Sequence, residues 1–145
     1  MADFLKIALQ KDDDGTAGLI ASVKKGTFSG AGEAWFNISD INKFANELKS
    51  FAETTKNPPI IEGGHWDGKG NLKRILVSLR FYSFSSYRCG VQVNLADYPY
   101  TDCREEEISR VIVELKPESQ KVVEFSEQLK YLIDSTIKEA TLECY

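Results

Sequence analysis

The residues best equipped for chemistry stand together once, at His65-Trp66-Asp67, where an imidazole, an indole and a carboxylate are adjacent. His65 is the only histidine, and its side chain has the ordinary titration range that suits acid–base work near neutral pH. Glycines crowd it on both sides, at Gly63, Gly64, Gly68 and Gly70, whereas catalysis needs a ring held in fixed geometry. Neighbouring residues of an extended segment also point to opposite faces. Both arguments assign His65 and Trp66 to contact with a ligand or partner, Trp66 lying over the bound molecule, and not to catalysis.

Three other clusters invite a chemical reading. Asp12-Asp13-Asp14-Gly15 has the acids of a calcium loop, but in that register the first ligand position falls on Gln10 and the twelfth on Ala21, and neither can serve. A solvated hairpin turn is the expectation. Gly26 to Gly32 is glycine-rich like a phosphate cradle, yet it lacks the Gly-Lys-Ser/Thr ending and a strand pattern follows it. Glu105-Glu106-Glu107 stands near Asp97 and Asp102. Consecutive acids splay apart, and no apolar surroundings are evident that would raise one of them into a general acid. The same stretch carries Tyr98 and Tyr100, and aromatics are common interface anchors. Tyr98, Tyr100, Asp102, Glu105 and Glu106 are therefore the expected partner-binding residues, and reversing the three charges is expected to weaken that binding.

Cys89, Cys103 and Cys144 are widely spaced with no C-x-x-C pair, so neither a zinc site nor a dithiol motif is indicated. Cys89 is in phase with the apolar face of a strand and reads as a small buried hydrophobe. One histidine, no metal-ligand cluster and no nucleophile–base set argue against an enzyme, and no cofactor or metal is expected.

The net charge of −4 at pH 7 is uneven. Residues 1–75 hold ten acids and ten bases, whereas residues 76–145 hold twelve acids and eight bases. A nucleic-acid surface needs a basic stripe and none is visible. An acidic surface instead attracts a basic protein and speeds its association. No run reaches the ~18 apolar residues of a membrane span, and the first residues lack a secretory pattern, so a cytoplasmic protein is expected. The chain of 145 residues fits a single domain, 1–145, able to bury roughly two-thirds of its unfolded surface.

The elements that must position these residues follow from periodicity. Leu5, Ile7 and Leu9 alternate with polar or small residues, as do Leu19, Ala21 and Val23, across the Asp12–Gly15 turn. A short strand is expected around Ala34-Trp35-Phe36, and an extended piece at Ile60-Ile61. Further strands run through Ile75, Val77, Leu79 and Phe81, then Cys89 to Leu95, and finally Val111, Val113 and Leu115. Ile41, Phe44, Ala45, Leu48 and Phe51 make one helical face behind an N-cap at Ser39, and Val122, Phe125, Leu129, Leu132 and Ile133 make another behind Pro117. The two helices are written alike, Phe44 and Leu48 in one matching Phe125 and Leu129 in the other; duplication and convergence of amphipathic helices both account for it. The tail from Lys138 fits neither pattern cleanly. Short connections favour antiparallel pairing. The expected fold is α+β: a single, mainly antiparallel sheet of about six to seven strands in the order β-β-β-α-β-β-β-β-α, with both helices on one face.

Gly32 to Leu48, the Val111–Leu115 strand, and Phe125 and Leu129 of the closing helix together resemble the small bacterial immunity proteins of polymorphic and contact-dependent toxin systems, of the wall-associated-toxin type. The likeness rests on scaffold residues, chiefly Trp35, Phe44, Leu48, Phe125 and Leu129. It implies a non-enzymatic inhibitor that binds a cognate toxin directly, and an acidic, tyrosine-bearing surface would suit a basic toxin. The other reading of the residues is a small-molecule or regulatory module with its pocket between sheet and helices, gated by Gly63–Gly70.

Overall fold

The computed structural model describes residues 2–144 and has eight strands and two helices. Strands β1 (Asp3–Lys11), β2 (Thr16–Lys25) and β3 (Phe28–Asn37) precede helix α1 (Ile38–Thr54). Strands β4 (Ile60–Trp66), β5 (Leu72–Ser85), β6 (Arg88–Asp97) and β7 (Ser109–Leu115) precede α2 (Ser119–Ile133), and β8 (Ala140–Cys144) closes the chain. The strands form two antiparallel sheets, ordered β3-β2-β1-β8 and β4-β5-β6-β7.

The class is the expected α+β, but the single sheet is replaced by two. The reason is visible in β3, whose inner face reads Gly30, Gly32, Ala34, Phe36. A Cβ on Gly30 would lie 2.7 Å from Val111 of β7, one on Gly32 would lie 2.8 Å from the Leu76 carbonyl of β5, and Phe36 and Ala34 press on Gly63 of β4. So β3 crosses the second sheet strand by strand, in an orthogonal type of packing, and only small residues let the backbones approach this closely. Most of the glycine-rich Gly26–Gly32 stretch is therefore strand. The tail also resolves as a strand: Ala140, Leu142 and Cys144 are buried where β8 pairs with β1, at the opposite end of the chain.

The inner faces of both sheets and the apolar faces of both helices meet in one core, centred on Phe51, Phe81, Phe125, Leu48 and Leu129. Phe44 of α1 reaches Phe81 of β5 with ring centroids 6.0 Å apart. Trp35, expected among the scaffold residues, instead lies half exposed on the outer face of its sheet, its ring against Gly18. The helices begin slightly away from the expected caps, at Asn37 and Glu118, because backbone contacts set the entry. The Ile38 amide donates to the Gly15 carbonyl, and the Ser119 amide to that of Tyr87, both at 2.9 Å.

Those matching bonds belong to a larger correspondence. In β1–β2, Leu5, Ile7 and Leu9 pair with Val23, Ala21 and Leu19; in β5–β6, Val77, Leu79 and Phe81 pair with Leu95, Val93 and Val91, each 72 positions later. The buried helix residues Ile41, Phe44, Ala45, Leu48 and Phe51 correspond to Val122, Phe125, Ser126, Leu129 and Leu132, each 81 positions later. The unit β-β-β-α-β thus occurs twice, and the last strand of each unit joins the other unit's sheet. Gly30 and Val111, equivalent in the two units, touch each other, which places the approximate twofold axis between them. The units differ by a nine-residue insertion between β6 and β7, the stretch that carries Tyr98, Tyr100 and the acidic triplet.

Tyr82 gives one pH-dependent tie. Its ring covers Gly90 and its hydroxyl donates to Glu114 at 2.5 Å, two strands away. Burial first, and the Glu114 carboxylate second, push its pKa up to about 12 from 10.0. The folded pKa exceeds the unfolded one, so the stabilisation is whole below pH 10.0 and is lost as pH rises toward about 12. Thermal melts of the native protein and Tyr82→Phe across that window should therefore converge at its alkaline end.

Candidate functional site

A cleft of about 680 Å³ opens between the β1–β2 turn, the end of β3, α1 and β4. Five carboxylates line it, from Asp12, Asp14, Asp40, Glu47 and Glu62, against a single ammonium from Lys43. Both tryptophans of the chain, Trp35 and Trp66, line it and are about half exposed. Phe36, Phe44 and Ile61 supply an apolar floor.

Local structure explains the placement. The β1–β2 hairpin turns through Gly15 at φ +85°, closed by the Asp12 amide on the Thr16 carbonyl. Asp14 accepts from both the hydroxyl and the amide of Thr16, and the hydroxyl bond leads in holding its carboxyl below the usual range. Asp40, Lys43 and Glu47 share one face of α1 at helical spacing. Trp66 is delivered by β4, whose pairing with β5 shifts register at Gly63/Gly64 and again at His65/Trp66. The extra residues lie in β5, at Leu76 and Lys73, and the two adjacent aromatic side chains leave β4 in opposite directions by ordinary strand alternation. A Cβ on Gly64 would run into the Arg74 carbonyl and the Leu76 amide, so the bulge requires glycine there.

Chemically, the cleft suits a cation. Carboxylates give long-range attraction, and the faces of two indoles add cation–π contact to any ammonium or guanidinium that reaches them. The described residues contain no group of three or more His, Cys, Asp or Glu side chains positioned to hold a metal ion.

The residues expected from sequence are divided by the fold. Trp66 lies in the cleft, whereas His65 turns to the other side and stands 6.1 Å, ring to ring, from Tyr98. Tyr98 accepts from Arg110 at 2.9 Å and has the Arg74 guanidinium 5.0 Å from its ring. Arg74 also donates to the Thr101 carbonyl. The acidic triplet forms a short 3-10 turn, Glu105–Glu107, interleaved with arginines. Glu105 pairs with Arg110, and Glu106 with Arg104. Glu107 accepts from Tyr100 at 2.6 Å and from Arg104 at 2.9 Å, and the tyrosine bond leads in lowering its pKa. Asp102 is exposed on the preceding turn. The insertion is thus a self-paired, mixed-charge surface, which braces the end of β4 through His65 and Arg74. Of the thiols, Cys89 and Cys144 are buried, and burial raises both, Cys144 to about 11 with Asp3 adding to it.

No family model, no curated protein and no solved structure matches the chain. Its own second unit supplies the comparison. Where the first unit has Asp12, Thr16, Trp35 and Asp40, the second has Phe84, Arg88, Lys116 and Lys121. Phe84, Arg88 and Lys116 line a separate pocket of about 350 Å³, together with Lys25, Asp3 and Glu114. The core positions match across the units in burial and face, while at these positions the acids are not repeated and Asp40 is replaced by a base, Lys121. The scaffold therefore does not require the acids and indoles of the first cleft. Sequence reading missed all of them except Trp66; the signal that could have found them was the repeat itself, extended outward from Phe44/Phe125 to its non-matching positions.

Proposed function

We propose that the protein is a non-enzymatic binding protein that takes a cationic segment of a protein partner into the cleft between Trp35 and Trp66, as an immunity-type inhibitor of a basic toxin would. The observation that carries this reading is the excess of five carboxylates over one ammonium around two half-exposed indoles, at positions where the second unit carries no acid. Such a protein works by occupancy: it covers or withholds a basic surface and needs no chemistry of its own. In this reading it acts in the cytoplasm, and among its described residues no helix is long and apolar enough to cross a membrane.

Because Trp35 and Trp66 are the only tryptophans and both line the cleft, intrinsic emission reports on this site alone. Titration with a capped, lysine-rich peptide should change emission saturably and weaken with salt, while a glutamate-rich peptide does nothing. Equal responses to both peptides, or to neither, would end the reading. Lys43 makes a signed prediction. It is the one like charge a cationic ligand meets, so Lys43→Ala should tighten peptide binding by about threefold at low salt.

A second reading has one observation in its favour. Trp66 overhangs a cleft between α1 and the strands, as a small-molecule module would arrange it. A small organic cation raising the melting temperature with no response to any basic peptide would favour this form.

A further inference from the structure

The wall of the cleft formed by β4 is an open sheet edge. β4 is terminal in its sheet. The Phe81 amide donates to the Pro59 carbonyl at 3.0 Å, and the register continues through Ile61 with Leu79 and Gly63 with Val77. Hydrogen-bonded pairs alternate along an antiparallel ladder. Residues 59, 61 and 63 therefore turn their backbone groups toward β5, whereas Ile60 and Glu62 turn theirs away from it, on the side where both residues line the cleft. Among the described residues, no backbone or side-chain partner takes these outward groups.

The equivalent edge in the second unit is sealed. There α2 packs along β8, and the Gln128 side-chain oxygen accepts from the Thr141 amide at 2.8 Å. Thr141 is the counterpart of Glu62 by strand register, and Gln128 the counterpart of Glu47 by helix position. In the first unit α1 stands away from β4, Glu47 leaves the edge amide unbonded, and the gap is the cleft. A helix that closes one edge is thus held off the other, and the space is lined by five acids and one base. Exposed edges are usually blunted or covered, since they template pairing with another chain. This one is instead flanked by residues that would attract and orient a basic strand.

We infer that the cationic segment adds to the free edge of β4 as a fifth strand of the sheet. Ile60 and Glu62 exchange backbone hydrogen bonds with it, and its basic side chains lie among Asp40, Glu47 and the two indoles. This rests on the cation-binding reading of the same cleft and adds the mode: main-chain pairing supplies affinity, and alternate side chains supply specificity. The segment is extended and carries its basic residues on one face.

The test uses the full chain and three probes: a short capped peptide of alternating lysine and valine, its analogue N-methylated at every amide, and spermine. Affinity is read from tryptophan emission, and pairing from amide hydrogen exchange resolved by NMR. In the free protein, Ile61 and Gly63 should exchange slowly, and Ile60 and Glu62 fast. With the unmodified peptide, exchange at Ile60 and Glu62 should slow by about tenfold or more, and the methylated analogue should bind at least about tenfold more weakly. If the analogue and spermine bind as tightly as the peptide and leave Ile60 and Glu62 fast, strand addition is wrong while the cation site stands. If none of the three changes the emission, both are wrong.

Discussion

Reversing Asp40 and Glu47 together to lysine is expected to weaken binding of a lysine-rich peptide by about a hundredfold at low salt, close to 3 kcal/mol. Both side chains are exposed on the cleft face of α1, on either side of Lys43. Replacing two acids by two bases moves the cleft from five acids and one base to three of each. The fold should persist. Asp40 loses its contact with the Asn37 amide and its favourable place in the first helical turn, which costs about 1 kcal/mol. Circular dichroism should stay native, with a melting temperature only a few degrees lower. The second unit provides the control: Lys121→Glu at the position equivalent to Asp40 should leave peptide affinity unchanged. Tighter binding by Lys121→Glu, matching per unit charge the loss from the reversal, would mean that overall charge, not the cleft, governs binding.

Gly64→Ala should be the most damaging single methyl in the molecule. The added Cβ meets backbone on both sides, the Arg74 carbonyl and the Leu76 amide, and neither can swing away as a side chain could. The β4–β5 pairing must shift to admit it, and overpacking of this kind costs about 1–3 kcal/mol or more. The strain falls two residues before Trp66, where β4 faces the irregular part of β5, so peptide affinity should fall as well. Gly68→Ala, with open space around it in the following turn, should alter neither stability nor affinity. Urea unfolding of both variants beside the native protein, with emission titrations on each, measures the two effects separately.

Much of the scaffold was legible because it is local. The alternation of Leu5, Ile7 and Leu9, the Asp12–Gly15 turn and both amphipathic helices are patterns within a few residues, and each element is present. What was not legible is non-local. Two sheets in place of one follow from β3 crossing over β4, β5, β6 and β7, which only the smallness of Gly30, Gly32 and Ala34 hints at. Strand β8 is five residues long and pairs with β1 across nearly the whole sequence, so its pattern was too short to read alone. Pro117 ends up just ahead of the α2 cap, its carbonyl accepting from Cys89, a contact that no periodicity carries.

The candidate site was obscured for an electrostatic reason. Counting along the chain located the acidic excess in the second half, but charge acts through space. The triplet at Glu105–Glu107 is met by Arg104 and Arg110. Five of the ten acids of the supposedly balanced first half converge instead on one cleft, while bases such as Lys25 and Lys11 spend their ammonium groups on distant carbonyls at Glu114 and Ile133. Strand alternation separates His65 from Trp66, yet which of them enters a cleft depended on where α1 stands relative to β4, which is non-local.

The most direct test follows the two indole N–H resonances in a proton–nitrogen correlation spectrum while a lysine-rich peptide is added. The Trp35 and Trp66 signals should both move and saturate together, with the amides of Asp40, Glu47 and Glu62, while the Tyr98–Glu107 loop stays still. Stationary indoles with saturable shifts confined to that loop would contradict it, and would return the partner-binding surface to Tyr98, Tyr100 and the acids beside them.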